Sequence, residues 1–331
     1  MEAESGVVLV GFGPHMRSCL LPALRRMEIP VTGVITRHPK AIREQARRHG
    51  IPEGLGAIEA LRRAPAPRAV IVAAGYRSHL EILRALKDVP APVFIEKPVA
   101  ESAAQLREFL HADPHSDALV MVGFQKRYAP AYVQVKRMIG EKRISQAVHL
   151  DYGFQVGRLG KGLDFLLEVG IHGVDLLRFL LGPMRILQAL EERRDDRVHY
   201  TVLLQSDGGV SATLHVGEMA EWSQAGERLE ITGTGHQVVV ENLTDFEWRR
   251  PYPGPAGVPD IETGGRIAAK ANFPVPITES GMLYQHGYLG ELQHFFDCVH
   301  SGRSPQPDLE DALATMELLE AIRREACASC R

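Results

Sequence analysis

At 331 residues, 45% of them hydrophobic, the chain has enough apolar mass for two ordinary cores. A formal charge of −3, with basic and acidic residues interspersed, excludes the electrostatic footprint of a nucleic-acid binder. No apolar run nears the roughly 20 residues of a membrane-spanning helix, and no charged leader with an apolar core opens the chain, so a cytoplasmic location is expected.

The first element is the apolar run Val7-Val8-Leu9-Val10, which ends in Gly11-Phe12-Gly13 and passes into a helix-like stretch around Leu20, Leu21 and Leu24. Strand, glycine turn and helix in that order let a pyrophosphate approach the free N–H groups of a helix start. The full dinucleotide fingerprint wants a third small residue where this chain has Met16, and Pro14 removes one N–H from the turn. Strand-like runs follow at Val31 to Ile35, Ala69 to Ala73, Val93 to Ile95 and Ala118 to Val122, separated by helical patterns. Short apolar runs so spaced predict a doubly wound parallel sheet buried on both faces.

The second run ends in Thr36-Arg37-His38, where an acidic residue would take the adenosine ribose hydroxyls of NAD. A hydroxyl followed by a guanidinium instead suits a 2′-phosphate, so NADP(H) is favoured, with NAD(H) as the second choice. The fourth run ends in Glu96-Lys97-Pro98, which puts an amine and a carboxylate where an open α/β sheet binds ligands.

Beyond about residue 125 the alternation gives way to a helix, a second helix near Ile171 to Leu181, and a succession of strand-like stretches. Asp207-Gly208-Gly209 reads as the turn of a hairpin joining Tyr200–Gln205 to Ser211–Val216, and Gly233-Thr234-Gly235 as a second, between Leu229–Ile231 and Val238–Val240. Pro251 to Pro276, rich in Pro and Gly, reads as a long loop. Leu313, Met316, Leu319 and Ile322 form one stripe of a closing helix, Asp308 to Ala326. Cys19 and Cys298 sit among apolar neighbours as reduced thiols, and Cys327 with Cys330 forms a lone pair too small for a structural zinc site. No metal is expected.

The chemistry centres on His172, four residues after Glu168 and three before Asp175, so that the three share one side if the helix starts early enough. A neutral imidazole there takes a hydroxyl proton near physiological pH.

The ordered set Gly11-Phe12-Gly13, Ala74-Gly75-Tyr76-Arg77-Ser78-His79, Glu96-Lys97-Pro98, Gly123-Phe124-Gln125-Lys126-Arg127-Tyr128-Ala129-Pro130, Glu168-Val169-Gly170-Ile171-His172-Gly173-Val174-Asp175-Leu176-Leu177 and Tyr288-Leu289-Gly290-Glu291 resembles the Gfo/Idh/MocA oxidoreductases nearly end to end. The resemblance implies an α/β chain: a Rossmann domain over 1–124, then an α+β domain over 125–331 built on a largely antiparallel, open-faced sheet. It implies hydride transfer between NAD(P) and a secondary alcohol or ketone of a sugar, sugar derivative or cyclitol, with a redox-assisted glycosidase or a non-catalytic dinucleotide sensor as alternatives. By the same resemblance Lys97 holds the substrate oxygen, His172 is the acid/base, and Glu168, where the family carries Asp, assists. The cofactor lies over Gly11, Phe12, Gly13, Pro14, His15 and Met16, with Thr36, Arg37 and His38 at the adenosine end, Ala74, Gly75 and His79 beside it, and Glu96, Lys97 and Gln125 near the nicotinamide. Arg158 and Lys161 approach the substrate pocket, with Lys126 and Arg127 adding positive charge at its mouth, which predicts an anionic group on the substrate. The open sheet face is buried by further subunits, giving a homodimer or homotetramer.

Overall fold

A computed structural model describes residues 6–37, 39–55, 57–62, 66–112, 119–144, 146–160, 163–220, 225–251, 265–270 and 279–329. The chain divides into two compact units, one of Met1–Gln125 with Met282–Ala314, the other of Lys126–Gly281 with Thr315–Arg331.

The first unit is built on six strands, β1 (Val7–Val10), β2 (Val31–Ile35), β3 (Glu53–Leu55), β4 (Ala69–Val72), β5 (Val93–Glu96) and β6 (Val120–Gly123). They pair in parallel in the order β3-β2-β1-β4-β5-β6. Every residue of β1, β4 and β5 is buried, as a sheet covered on both faces requires. The crossovers carry helices α1 (Leu21–Arg26), α2 (Pro39–Arg48), α3 (His79–Leu86) and α4 (Ala103–Ala112). This is the strand order whose reversal point lies between β1 and β4, the crevice where dinucleotides bind. Three-residue β3 escaped the sequence reading because Glu53-Gly54-Leu55 is too short to show a period.

The second unit starts with α5 (Pro130–Gly140), β7 (Ala147–Gln155) and α6 (Ile171–Leu181). Seven more strands follow: β8 (Met184–Arg194), β9 (Arg197–Ser206), β10 (Ser211–Gly217), β11 (Gly226–Gly233), β12 (His236–Glu241), β13 (Asp245–Arg249) and β14 (Arg266–Lys270). Their order is β14-β13-β12-β11-β7-β10-β9-β8, antiparallel except that β10 runs parallel to β7. Both expected hairpins form, Leu204 facing Ala212 in one and Ile231 facing Val238 in the other. Helices α5 and α6 cover one face. A Cβ on Gly173 would stand 2.8 Å from atoms of both Leu214 and Tyr152, so only glycine lets α6 lie this close to the sheet. On the other face Leu190 and Leu203 are exposed, next to buried Ala189 and Val202.

One correction concerns the Pro- and Gly-rich stretch from 251 to 276, expected as a loop throughout. Within it β14 pairs with β13, all five of its residues exposed, so this edge strand is held by its ladder rather than by a buried face. The rest of that stretch, beyond Pro251 and Gly265, lies outside the described residues, as does Cys330.

The chain closes with α7 (Glu279–Gln285), α8 (Tyr288–Ser301) and α9 (Leu309–Ser329). The predicted stripe Leu313, Met316, Leu319 and Ile322 on α9 is buried. Cys298 is buried and Cys19 half-buried, both as thiols. No helix among the described residues is long and apolar enough to cross a membrane.

Candidate cofactor cavity and catalytic residues

A cavity of about 770 Å³ opens in the first unit at the carboxyl ends of β1, β2 and β4. Gly11 to His15, Thr36, Arg37, Ala74 and Gly75 line it, which brings together most of the residues expected to hold a dinucleotide. Gly11 has φ +88°, and a Cβ there would meet the Ala73 carbonyl oxygen at 2.5 Å, so both its backbone and its neighbour demand glycine. A Cβ at Gly13 or Gly75 would meet nothing within 4 Å; at these positions the backbone is left bare for close approach by a ligand. The missing third glycine is accounted for by Met16, which is fully buried and begins a π turn, Met16–Leu20, ahead of α1.

The sequence reading missed the opposite wall, where Ile58, Glu59, Ser78, Glu81 and Ile82 also line the cavity. No fingerprint marks these positions; they arrive through the 3-10 turn Ile58–Arg62 and the start of α3.

Three expected cofactor residues stand behind the cavity instead of on it. Met16 is core. His79 is 1% exposed, its ring bridging Pro98 O (2.9 Å from Nδ1) and Ala74 O (3.0 Å from Nε2). Burial lowers its pKa while the two carbonyl acceptors oppose that shift, and the ring links the turn after β4 to the turn that carries Lys97. Glu96 is 7% exposed and accepts a hydrogen bond from His15 Nε2 at 2.8 Å. Burial alone would raise the Glu96 pKa, but the His15 charge and hydrogen bond, helped by Lys97, bring it below the usual carboxylate range. On α8, Glu291 is fully buried with both carboxyl oxygens outside any hydrogen bond. Burial, reinforced by the Glu96 charge, pushes the Glu291 pKa well up and favours its protonated form. Gln125 lies in a 3-10 turn after β6, and His38 lies outside the described residues.

In the second unit His172 is half-buried in the first turn of α6, and Glu168 is half-buried in the π turn Leu166–Gly170 ahead of it. Asp175, 1% exposed, is not a third member of this group. Its carboxylate accepts two bonds from Arg127, Nε at 2.8 Å and Nη2 at 2.6 Å, and a third from Thr315 Oγ1 at 3.2 Å. Arg178 donates to the same Thr315 at 2.6 Å.

This corrects the expected role of Arg127 and Lys126 as cations at a pocket mouth: they are 7% and 5% exposed. Lys126 pairs with Glu227, which also accepts hydroxyl bonds from Tyr132 (2.5 Å) and Tyr152 (2.9 Å). A buried charge is tolerated only with partners of this kind, so both cations serve the fold. Arg158, expected to meet an anionic substrate group, pairs with Asp196 at the β8–β9 turn. Lys161 lies outside the described residues. Among the described residues no group of three His, Cys, Asp or Glu side chains is placed to hold a metal ion.

Comparison with known proteins agrees with this arrangement. The model of the Gfo/Idh/MocA oxidoreductase family, NAD-binding Rossmann fold, matches residues 5–124, and that of the family's C-terminal alpha/beta domain matches residues 157–329. The chain is similar to trans-1,2-dihydrobenzene-1,2-diol dehydrogenase of Mus musculus, at 25% identity covering 98% of this chain and 96% of that one. It is similar also to inositol 2-dehydrogenase of Rhizobium meliloti (strain 1021), at 24% identity over 81% of each. Its fold resembles that of a dehydrogenase from Chromobacterium violaceum, with a TM-score of 0.85 at 22% identity, covering 98% of this chain and 96% of that one. A levoglucosan dehydrogenase solved with NADH and L-sorbose gives 0.82 at 19%, again covering 98% and 96%. With both of its regions matched, a glycine-turn cavity at the sheet's reversal point and the Lys97 and His172 motifs in place, the chain belongs to the Gfo/Idh/MocA oxidoreductases and is an NAD(P)-dependent dehydrogenase.

Proposed function

We propose that the protein oxidises a secondary alcohol of a sugar, sugar derivative or cyclitol, or reduces the matching ketone. The observation that carries this reading is the bare-backbone cavity at Gly11, Gly13 and Gly75, in a chain that retains Lys97 and His172. Bound in that cavity, the nicotinamide supplies hydride chemistry. Lys97 holds the substrate oxygen by a charge-assisted hydrogen bond and stabilises the negative charge that builds there. His172 accepts the hydroxyl proton in oxidation and returns it in reduction. Glu168 orients His172.

The relatives' names, a cyclic diol dehydrogenase and an inositol dehydrogenase, support a ring bearing neighbouring hydroxyls. Arg158 already has a carboxylate partner, which favours a neutral polyol over an anionic substrate. Turnover at 340 nm across a panel of neutral cyclitols and sugars, beside phosphorylated and carboxylated analogues, tests the reading. Absence of turnover with the whole panel overturns it.

Thr36 and Arg37 line the cavity, and a hydroxyl beside a guanidinium supports NADP(H). Arg37→Ala is expected to weaken NADP(H) by about 1.5–3 kcal/mol and leave NAD(H) nearly unchanged, as read by titration calorimetry. Glu59 and Glu81 bring two carboxylates to the same cavity, and they support the second reading, NAD(H) held through its ribose hydroxyls. Equal binding of both cofactors by wild type rejects the NADP(H) preference.

The sheet face bearing Leu190 and Leu203 is assigned to a second copy of the chain, because exposed apolar residues on the uncovered face of an antiparallel sheet are an incomplete core. Leu203→Glu is expected to shift the protein toward monomer in light scattering. An unchanged mass would reject this face as the interface.

A further inference from the structure

We propose that His15, seated on Glu96, is a standing positive charge for the dinucleotide pyrophosphate, taking the place of the backbone donor that Pro14 removes from the glycine turn. The inference rests on assigning the cavity to a dinucleotide. It starts from a deficit: the turn Gly11-Phe12-Gly13-Pro14 lacks one N–H at Pro14, and Met16 fills the position of the third glycine. The residue between them lines the cavity and carries an imidazole.

Geometry fixes both the ring and the polarity of the pair. His15 Nε2 lies 2.8 Å from Glu96 Oε1, with the His15 side chain 41% exposed and that of Glu96 only 9%. The ring of Tyr288, at the start of α8, meets His15 edge-on with centroids 5.6 Å apart. The positive end of the pair is therefore turned toward the cavity and the negative end is sunk beneath it. An ion pair oriented in this way presents a net positive potential to an anion on the exposed side.

The charges around the ring support a protonated His15 throughout the neutral range. Burial by itself would lower its pKa, but the Glu96 charge, with hydrogen bonds to Cys19 and Glu96, lifts it to about 10. Of the other facing groups, burial pushes the Tyr288 hydroxyl and the Glu291 carboxyl on α8 toward their protonated, neutral forms and lowers the His79 pKa. Lys97 adds a second positive charge beside Glu96. The stability His15 gains from its charged form is complete below about 6.5 and is lost as pH rises through about 10.

Three ligands and two variants test the proposal in calorimetry or fluorescence competition on the full-length protein. His15→Gln keeps a donor toward Glu96 but no charge; it is expected to bind NADH and ADP-ribose about tenfold more weakly, with a shallower dependence of affinity on salt. Adenosine, which has no phosphate, should bind both proteins alike, and this also shows that the variant's cavity is intact. Glu96→Gln removes the charge that holds His15 protonated and leaves burial to lower its pKa, so NADH affinity should fall as pH rises toward neutrality, where wild type is flat. The same profile in a Cys19→Ala background excludes the neighbouring thiol as its source. Unchanged NADH affinity and salt slope in His15→Gln, an equal loss for adenosine, or a flat profile in Glu96→Gln each overturns the proposal. Failure of wild type to bind either NADH or NADPH overturns instead the assignment of the cavity itself.

Discussion

Replacing His172 with Ala is expected to lower kcat by about two to four orders of magnitude, with cofactor affinity near wild type. The cavity that holds the dinucleotide is lined by residues from Val10 to Ala85, all in the first unit, whereas His172 stands at the head of α6 in the second. The substitution therefore removes the proposed proton acceptor and leaves every residue that lines the cavity unchanged. Lys97→Ala should cost about two orders or more in kcat, because the developing charge on the substrate oxygen loses its cation. Glu168→Gln should be milder, since in the proposed mechanism Glu168 acts through His172, with its carboxylate one methylene further out than that of Asp. Initial rates at saturating cofactor, with the best alcohol from the panel, decide the matter. Near-normal turnover by His172→Ala would move the proton to another group and refute the mechanism.

The second large effect is structural. Asp175→Ala is expected to destabilise the protein by about 3–5 kcal/mol in urea unfolding, because it strands a guanidinium that is 7% exposed. Thr315 and Arg178 lose their anchor in the same step. The double substitution Asp175→Leu with Arg127→Met should recover much of that loss, since it removes both charges together. A loss below about 1 kcal/mol for Asp175→Ala is the value of an exposed pair and would contradict this account.

These two sites mark the limit of what sequence makes visible. The parallel sheet was legible because strands buried on both faces are short apolar runs, and β1, β4 and β5 have no exposed residue. The hairpin turns were legible because Asp-Gly-Gly and Gly-Thr-Gly punctuate locally. Gly11 and Gly13 were legible because paired glycines directly between an apolar run and a helical pattern mark a tight turn that side chains would obstruct. Lys126 and Arg127 were misread because their partners, Glu227 and Asp175, lie 101 and 48 residues away. A charge in a motif looks the same whether water or a buried carboxylate meets it. Strands β3 and β14 were missed for a related reason: an edge strand can be held by backbone pairing alone, which leaves no mark on side-chain pattern.

The first unit is finished late in synthesis. It is completed by Met282–Ala314: Val122 N–H in β6 donates to Pro307 O at 2.8 Å, and Phe295 packs edge-on against Phe94 of β5 with ring centroids 5.9 Å apart. A ribosome that has just released Gln125 has delivered all six strands of this sheet but not the helix that covers Phe94. At about 5–20 residues per second, roughly 10–40 s pass before Ala314 is added. For that interval the nascent sheet keeps apolar surface open, and residues 1–125 cut out as a portable nucleotide-binding module would keep it open for good.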